Sequence, residues 1–122
     1  MKIEVSNGEI IDKITILQLK EKFITDSVKL NNVKTEMEEL TSLRDKIIST
    51  PLLSTLYSLL YEVNSKLWVI EDKLRDKERN KEFIELARSV YFTNDERAKI
   101  KKDINTASGS KLIEEKSYQE YK

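Results

Sequence analysis

The sequence predicts an all-α protein: a long antiparallel helical hairpin, a first helix packed along it, and two short C-terminal helices closing one end. Three observations carry that expectation. The 122 residues include only two glycines and one proline, too few turn-formers for a β-rich fold. Charged residues make up 36% and hydrophobic ones 39%, a balance that suits amphipathic helices with one wet face. Apolar residues recur at alternating spacings of three and four over long stretches, a helical period that no strand would show.

Each element has its own signals. Ser6-Asn7-Gly8-Glu9 has capping-box spacing, a hydroxyl residue followed three places later by a carboxylate, with Val5 and Ile10 placed as a hydrophobic staple. A first helix therefore runs from Asn7 to about Ile24. On a wheel of about 100° per residue, Ile10, Ile14, Leu17 and Ile24 form one stripe, and Ile16, Leu19 and Phe23 form a second roughly opposite. Such a helix needs partners on two sides, so it is either central or a subunit interface. Thr25-Asp26-Ser27 stops it and caps a second helix, where Leu30, Val33, Met37, Leu40, Arg44 and Ile47 keep the heptad spacing. Ser49-Thr50-Pro51 is a break, with proline at the first position of a third helix. There Leu53, Leu56, Leu60, Val63, Leu67, Ile70 and Leu74 continue the pattern. Two seams facing each other across so short a break predict the hairpin.

Arg75 to Lys81 is almost wholly charged and carries the long helix into solvent or a bend. Glu82 to Phe92 reads as a short fourth helix. Thr93-Asn94-Asp95-Glu96 repeats the capping-box spacing and predicts a fifth, ending near Asn105 before Gly109. The remaining SKLIEEKSYQEYK is too short for a core of its own. The expectation is one domain over residues 1–122, with a helical core over about 7–106 and a docking or mobile tail over 107–122.

Composition removes whole classes of chemistry. With no cysteine and no histidine, thiolate nucleophiles, Cys/His zinc sites and imidazole bases are excluded. Basic and acidic residues both total 22, and the two halves on either side of Asn80 are each within one charge of neutral, which argues against a basic-surface nucleic-acid binder. MKIEVSNGEI lacks the apolar core of a signal peptide, and no apolar run approaches the roughly 20 residues that cross a bilayer. A cytoplasmic protein with neither membrane nor nucleic-acid partners is expected.

Four stretches, VSNGEIIDKITIL, VNSKLWVIEDKLR, LARSVYFTNDERAKIKKDIN and GSKLIEEKSY, together resemble a small all-helical bacterial domain family of unknown function. They cover most of the chain in the right order. The resemblance implies a helical domain sometimes joined to glycosyltransferase-like or helical-repeat modules, and through them an accessory role in surface-polysaccharide assembly. It brings no catalytic residue with it. Ile11-Asp12 in its leucine-rich helix is also similar to the opening of helical chorismate mutases, but the first helix holds no arginine to bind a dicarboxylate.

The most informative polar residue is Asp12, which lies in the stripe of Ile16, Leu19 and Phe23. A buried carboxylate must protonate or find a cation, so Asp12 is expected to pair with Arg88 or Arg97, as a structural network or as the wall of a ligand site. Arg97 and Lys101, with Asn94 offering free N–H groups at a helix start, invite a phosphate site. Lys99 and Lys102 point nearly the other way, and Asp95, Glu96 and Asp103 dilute the field, so a solvated face is the expectation. Glu36, Glu38 and Glu39 with Glu62, Glu71 and Asp72 have spacings that could hold Mg²⁺, yet the lysines around them suit ordinary pairing along a helix, and no metal is expected. Tyr57, Tyr61 and Trp68 read as packing residues, while Tyr118 and Tyr121 in the tail are candidates for gripping a neighbouring subunit or partner. These readings lead to a non-catalytic interaction or scaffold module without cofactors, assembled as a homodimer or larger homo-oligomer. The alternative is a small helical enzyme or ligand-binding protein acting on a phosphorylated or acidic small molecule through Asp12, Arg88 and Arg97.

Overall fold

The computed structural model describes residues 4–75 and 81–110. Within them the chain is all-α, with helices α1 (Asn7–Phe23), α2 (Ser27–Ile47), α3 (Pro51–Arg75) and α4 (Lys81–Ser108). The first three begin where the sequence places their caps. Ser6 accepts a hydrogen bond from the Glu9 backbone N–H at 3.2 Å, Asp26 accepts from Val28 and Lys29, and Thr50 Oγ1 accepts from Leu53 N at 3.2 Å ahead of Pro51. α4 ends at Gly109, whose φ of 68° only glycine adopts readily. Ser110 N then donates back to the Asn105 carbonyl and Gly109 N to that of Thr106, a Schellman closure of the last turn.

Two expectations are corrected. The predicted pair of short C-terminal helices is one continuous α4. Thr93, expected to cap a fifth helix, is buried in its interior, and its hydroxyl donates to the Ser89 carbonyl four residues back at 2.7 Å. A threonine satisfied in this way no longer competes for the backbone N–H ahead of it, and packing against α3 and α1 carries the helix through.

The second correction concerns the hairpin. The heptads predict that α2 and α3 zip together, but α2 makes its close helix–helix contact with α1, while α3 lies mainly against α4 and also against α1. α1 touches all three other helices, so neighbours for a two-sided apolar helix are present within the chain itself. The shared core is Ile11 and Ile14 of α1, Leu53, Leu56 and Leu60 of α3, and Ile104 of α4, with Met37, Leu40, Ile47 and Ile48 reaching it from the side of α2. Val33 is the one buried residue of α2, so this helix covers the core without forming half of a rod. Arg44 of α2 comes near the Tyr57 phenol of α3, whose oxygen as an acceptor holds the guanidinium pKa above its ordinary value.

Candidate functional site

Asp12 is the polar centre of the molecule. It is 1% exposed on the face of α1 that also carries Thr15, and both of its carboxylate oxygens are occupied. Arg97 of α4 grips it as a fork: Nε donates to Oδ1 at 2.8 Å and Nη2 donates to Oδ2. Asn64 of α3 donates through Nδ2 to Asp12 Oδ1 at 2.9 Å and to Thr15 Oγ1 at 2.7 Å. The Thr15 hydroxyl in turn donates to the Asp12 carbonyl at 2.7 Å. Three helices are therefore joined through one carboxylate, and among the described residues no buried side-chain polar atom lacks a partner.

A second set of polar contacts fixes α1 against α4 toward the start of α1. Gly8 N donates to Asn105 Oδ1 at 2.5 Å, Asn7 Nδ2 donates to Ser108 Oγ at 2.9 Å, and Asn7 N donates to Ser110 Oγ at 3.1 Å. Lys101 Nζ meets Glu9 Oε2 at 2.6 Å. Partners that descend along α4 as they ascend along α1 show that the two helices are antiparallel. They also explain a glycine in the first turn of α1. A Cβ on Gly8 would run into the Lys101 carbonyl oxygen and meet Asn105 Oδ1 at 3.0 Å, so the helices approach this closely only where one side chain is missing.

The candidates named from the sequence are sorted by this geometry. Asp12 and Arg97 meet, and Lys101 faces α1 beside them with Glu9 as its partner. Arg88 is exposed, farther toward the start of α4, and is not the residue that pairs with Asp12. Asn94, expected at a helix start, lies inside the continuous α4, so it presents no free helix-start N–H groups to a phosphate. Tyr118 and Tyr121 lie outside the described residues. Among the described residues no three His, Cys, Asp or Glu side chains gather closely enough to hold a metal, and no helix is long and apolar enough to cross a membrane.

Sequence reasoning missed Asn64, Thr15, Gly8 and Asn105. Each carried a faint signal. Asn64 stands four after Leu60 and three before Leu67, on the edge of the buried seam, and Thr15 stands four from both Ile11 and Leu19. Asn64→Ala is expected to destabilise the fold by about 1–3 kcal/mol, because it strips one donor from a buried carboxylate and leaves Thr15 Oγ1 without its own. Urea unfolding followed by circular dichroism measures this, and a loss below about 0.5 kcal/mol would mean that Asp12 does not depend on Asn64.

Fold and site together define a compact class: an all-α domain of four helices among the described residues, pinned internally by a buried Asp–Arg pair. The chain belongs to the family of unknown function DUF6165, whose model matches residues 1–121. Comparison with curated proteins and with solved structures gives no match.

Proposed function

We propose that this protein is a non-catalytic interaction module, a helical piece on which other proteins assemble. The saturation of the Asp12 network supports this most directly. A catalytic or ligand-binding carboxylate needs an oxygen that a substrate can reach, whereas Asp12 is 1% exposed and both its oxygens already accept from Arg97 or Asn64. Lys101 meets Glu9 at 2.6 Å, so this cation too is engaged within the chain. The surface, in contrast, carries large apolar side chains: Val28 is 69% exposed, Leu52 59% and Val69 46%. Such residues suit contact with another polypeptide, including a second copy, and self-association into a homodimer or larger assembly is part of the proposal. A role beside carbohydrate-assembly enzymes in the cytoplasm rests on the sequence resemblance alone.

The test pairs light scattering with a thermal-shift screen of the full chain against nucleotides, sugar phosphates and small dicarboxylates. A scattering mass above one chain and no shift from any small molecule are expected, and incubation with Mg²⁺ and mixed nucleoside triphosphates should release no pyrophosphate. A concentration-dependent rise in Tm of several degrees with one phosphorylated or acidic compound, abolished by Lys101→Gln, would replace the module with the small-molecule alternative.

A further inference from the structure

An open cleft of about 390 Å³ runs between α1 and α3, lined by Gln18, Tyr57, Ser58 and Tyr61. We infer that it is a docking groove for an extended, proline-rich segment of a partner protein. The inference deepens the interaction-module reading and rests on it.

The row of aromatics supplies the first argument. Tyr57 and Tyr61 are four apart on one face of α3, both partly buried, so their rings are held by packing while remaining within reach. Trp68 continues the row seven residues further on, stacked on Phe23 with ring centroids 5.4 Å apart and planes 19° from parallel. At about 1.5 Å per helical residue, Tyr57 and Tyr61 stand roughly 6 Å apart along the helix, and Tyr61 and Trp68 roughly 10 Å. A polyproline II chain advances about 3.1 Å per residue and about 9 Å per turn. Two of its residues span the tyrosine pair, and one turn nearly reaches the tryptophan.

Hydrogen-bond chemistry points the same way. A polyproline II segment makes no internal hydrogen bonds, and each proline offers a carbonyl oxygen with no N–H beside it. The partner surface must therefore provide donors over a flat apolar floor. The groove has them in the phenols of Tyr57 and Tyr61, the Ser58 hydroxyl and the Gln18 amide, and none of these four side chains is charged. Arg44, near enough to the Tyr57 phenol for the phenol to raise its pKa, puts a cation beside one end of the groove, although Asp45 lies 3.3 Å from its Nε and tempers it. An acidic residue flanking the prolines fits that end. Shape separates this occupant from a small molecule. Sites for small ligands bury most of the ligand's surface, and a cleft open along two helices suits a chain that lies across it.

Trp68 is the only tryptophan, so the full chain reports on the groove through its own fluorescence. Titration with a ten-residue polyproline peptide should give a saturable change, and the same peptide flanked by two glutamates should bind a few-fold more tightly. Tyr61→Ala should weaken binding by about tenfold or more with the helical circular dichroism unchanged, and Tyr61→Phe, which keeps the ring and loses the donor, should fall between. A glycine-serine peptide of equal length and maltose should do nothing. The assignment is overturned if neither proline peptide saturates at millimolar concentration, if Tyr61→Ala binds as the parent does, or if maltose saturates and Tyr61→Ala abolishes that response. Peptide failure with a silent small-molecule screen would remove the groove and leave the module reading standing, whereas a hit in that screen removes the module reading itself.

Discussion

Arg97→Ala is expected to destabilise the protein by about 3–5 kcal/mol, on the order of a 10 °C fall in Tm for a chain of this size. The magnitude comes from what is left behind. Asp12, 1% exposed in the parent, is left with a single side-chain donor, Asn64, and a buried carboxylate without its counter-charge is far costlier than the pair was beneficial. Arg97 is 27% exposed at its side chain, so water reaches part of the vacated space and the lower end of the range is expected. The double substitution Asp12→Leu with Arg97→Met separates two accounts. If the pair chiefly fixes how α1 and α4 align, an apolar replacement of similar volume should recover most of the lost stability. Chemical unfolding of the parent, both singles and the double gives the coupling energy. A single-mutant loss below about 1 kcal/mol would show that the pair behaves as a solvated surface bridge.

Gly8→Ala offers a contest of signs. Helix propensity favours alanine over glycine by about 1 kcal/mol in a helix interior, so a local view predicts a more stable protein. The cross-helix contact predicts the opposite, because the added methyl meets the Lys101 carbonyl, which is backbone and cannot swing aside. Separating α1 from α4 to admit it also stretches the Gly8–Asn105 hydrogen bond and loosens the grip of Arg97 on Asp12. Overpacking of this kind costs about 1–3 kcal/mol, and the lost hydrogen bond adds to it, so a net destabilisation of about 2 kcal/mol is expected. Thermal and urea unfolding of the single variant decide it. Higher stability would mean that the two helices have room to part.

The helix starts were legible because their chemistry is local. Ser6, Asp26 and the Thr50-Pro51 pair satisfy N–H groups or set φ within a few residues of themselves, and nothing distant is needed to read them. Thr93-Asn94-Asp95-Glu96 carries the same local pattern and misleads, since burial of Thr93 against the rest of the molecule decides which way its hydroxyl bonds. The heptads of α2 and α3 show that each has an apolar seam but not which helix lies against it, and α1 took the place that a hairpin reading gave to α2. Asp12 could be placed in the interior from its wheel position, with Arg88 and Arg97 as rival partners. The register of α4 on α1, set by contacts such as Gly8 with Asn105, chose Arg97. Asn64 stayed hidden because an asparagine beside valine and serine on an amphipathic helix looks like ordinary solvated surface.

The joining of Asn7 to Ser108 and Ser110 puts the first turn of α1 and the close of α4 at the same pole of the molecule. Asn7 and Ser110 therefore lie side by side. A pull between these two residues would load the polar contacts one rung at a time, as in opening a zipper, and would reach the Asp12 fork only after the earlier rungs had parted. Under tension the molecule should be compliant at that pole long before its apolar interior gives way.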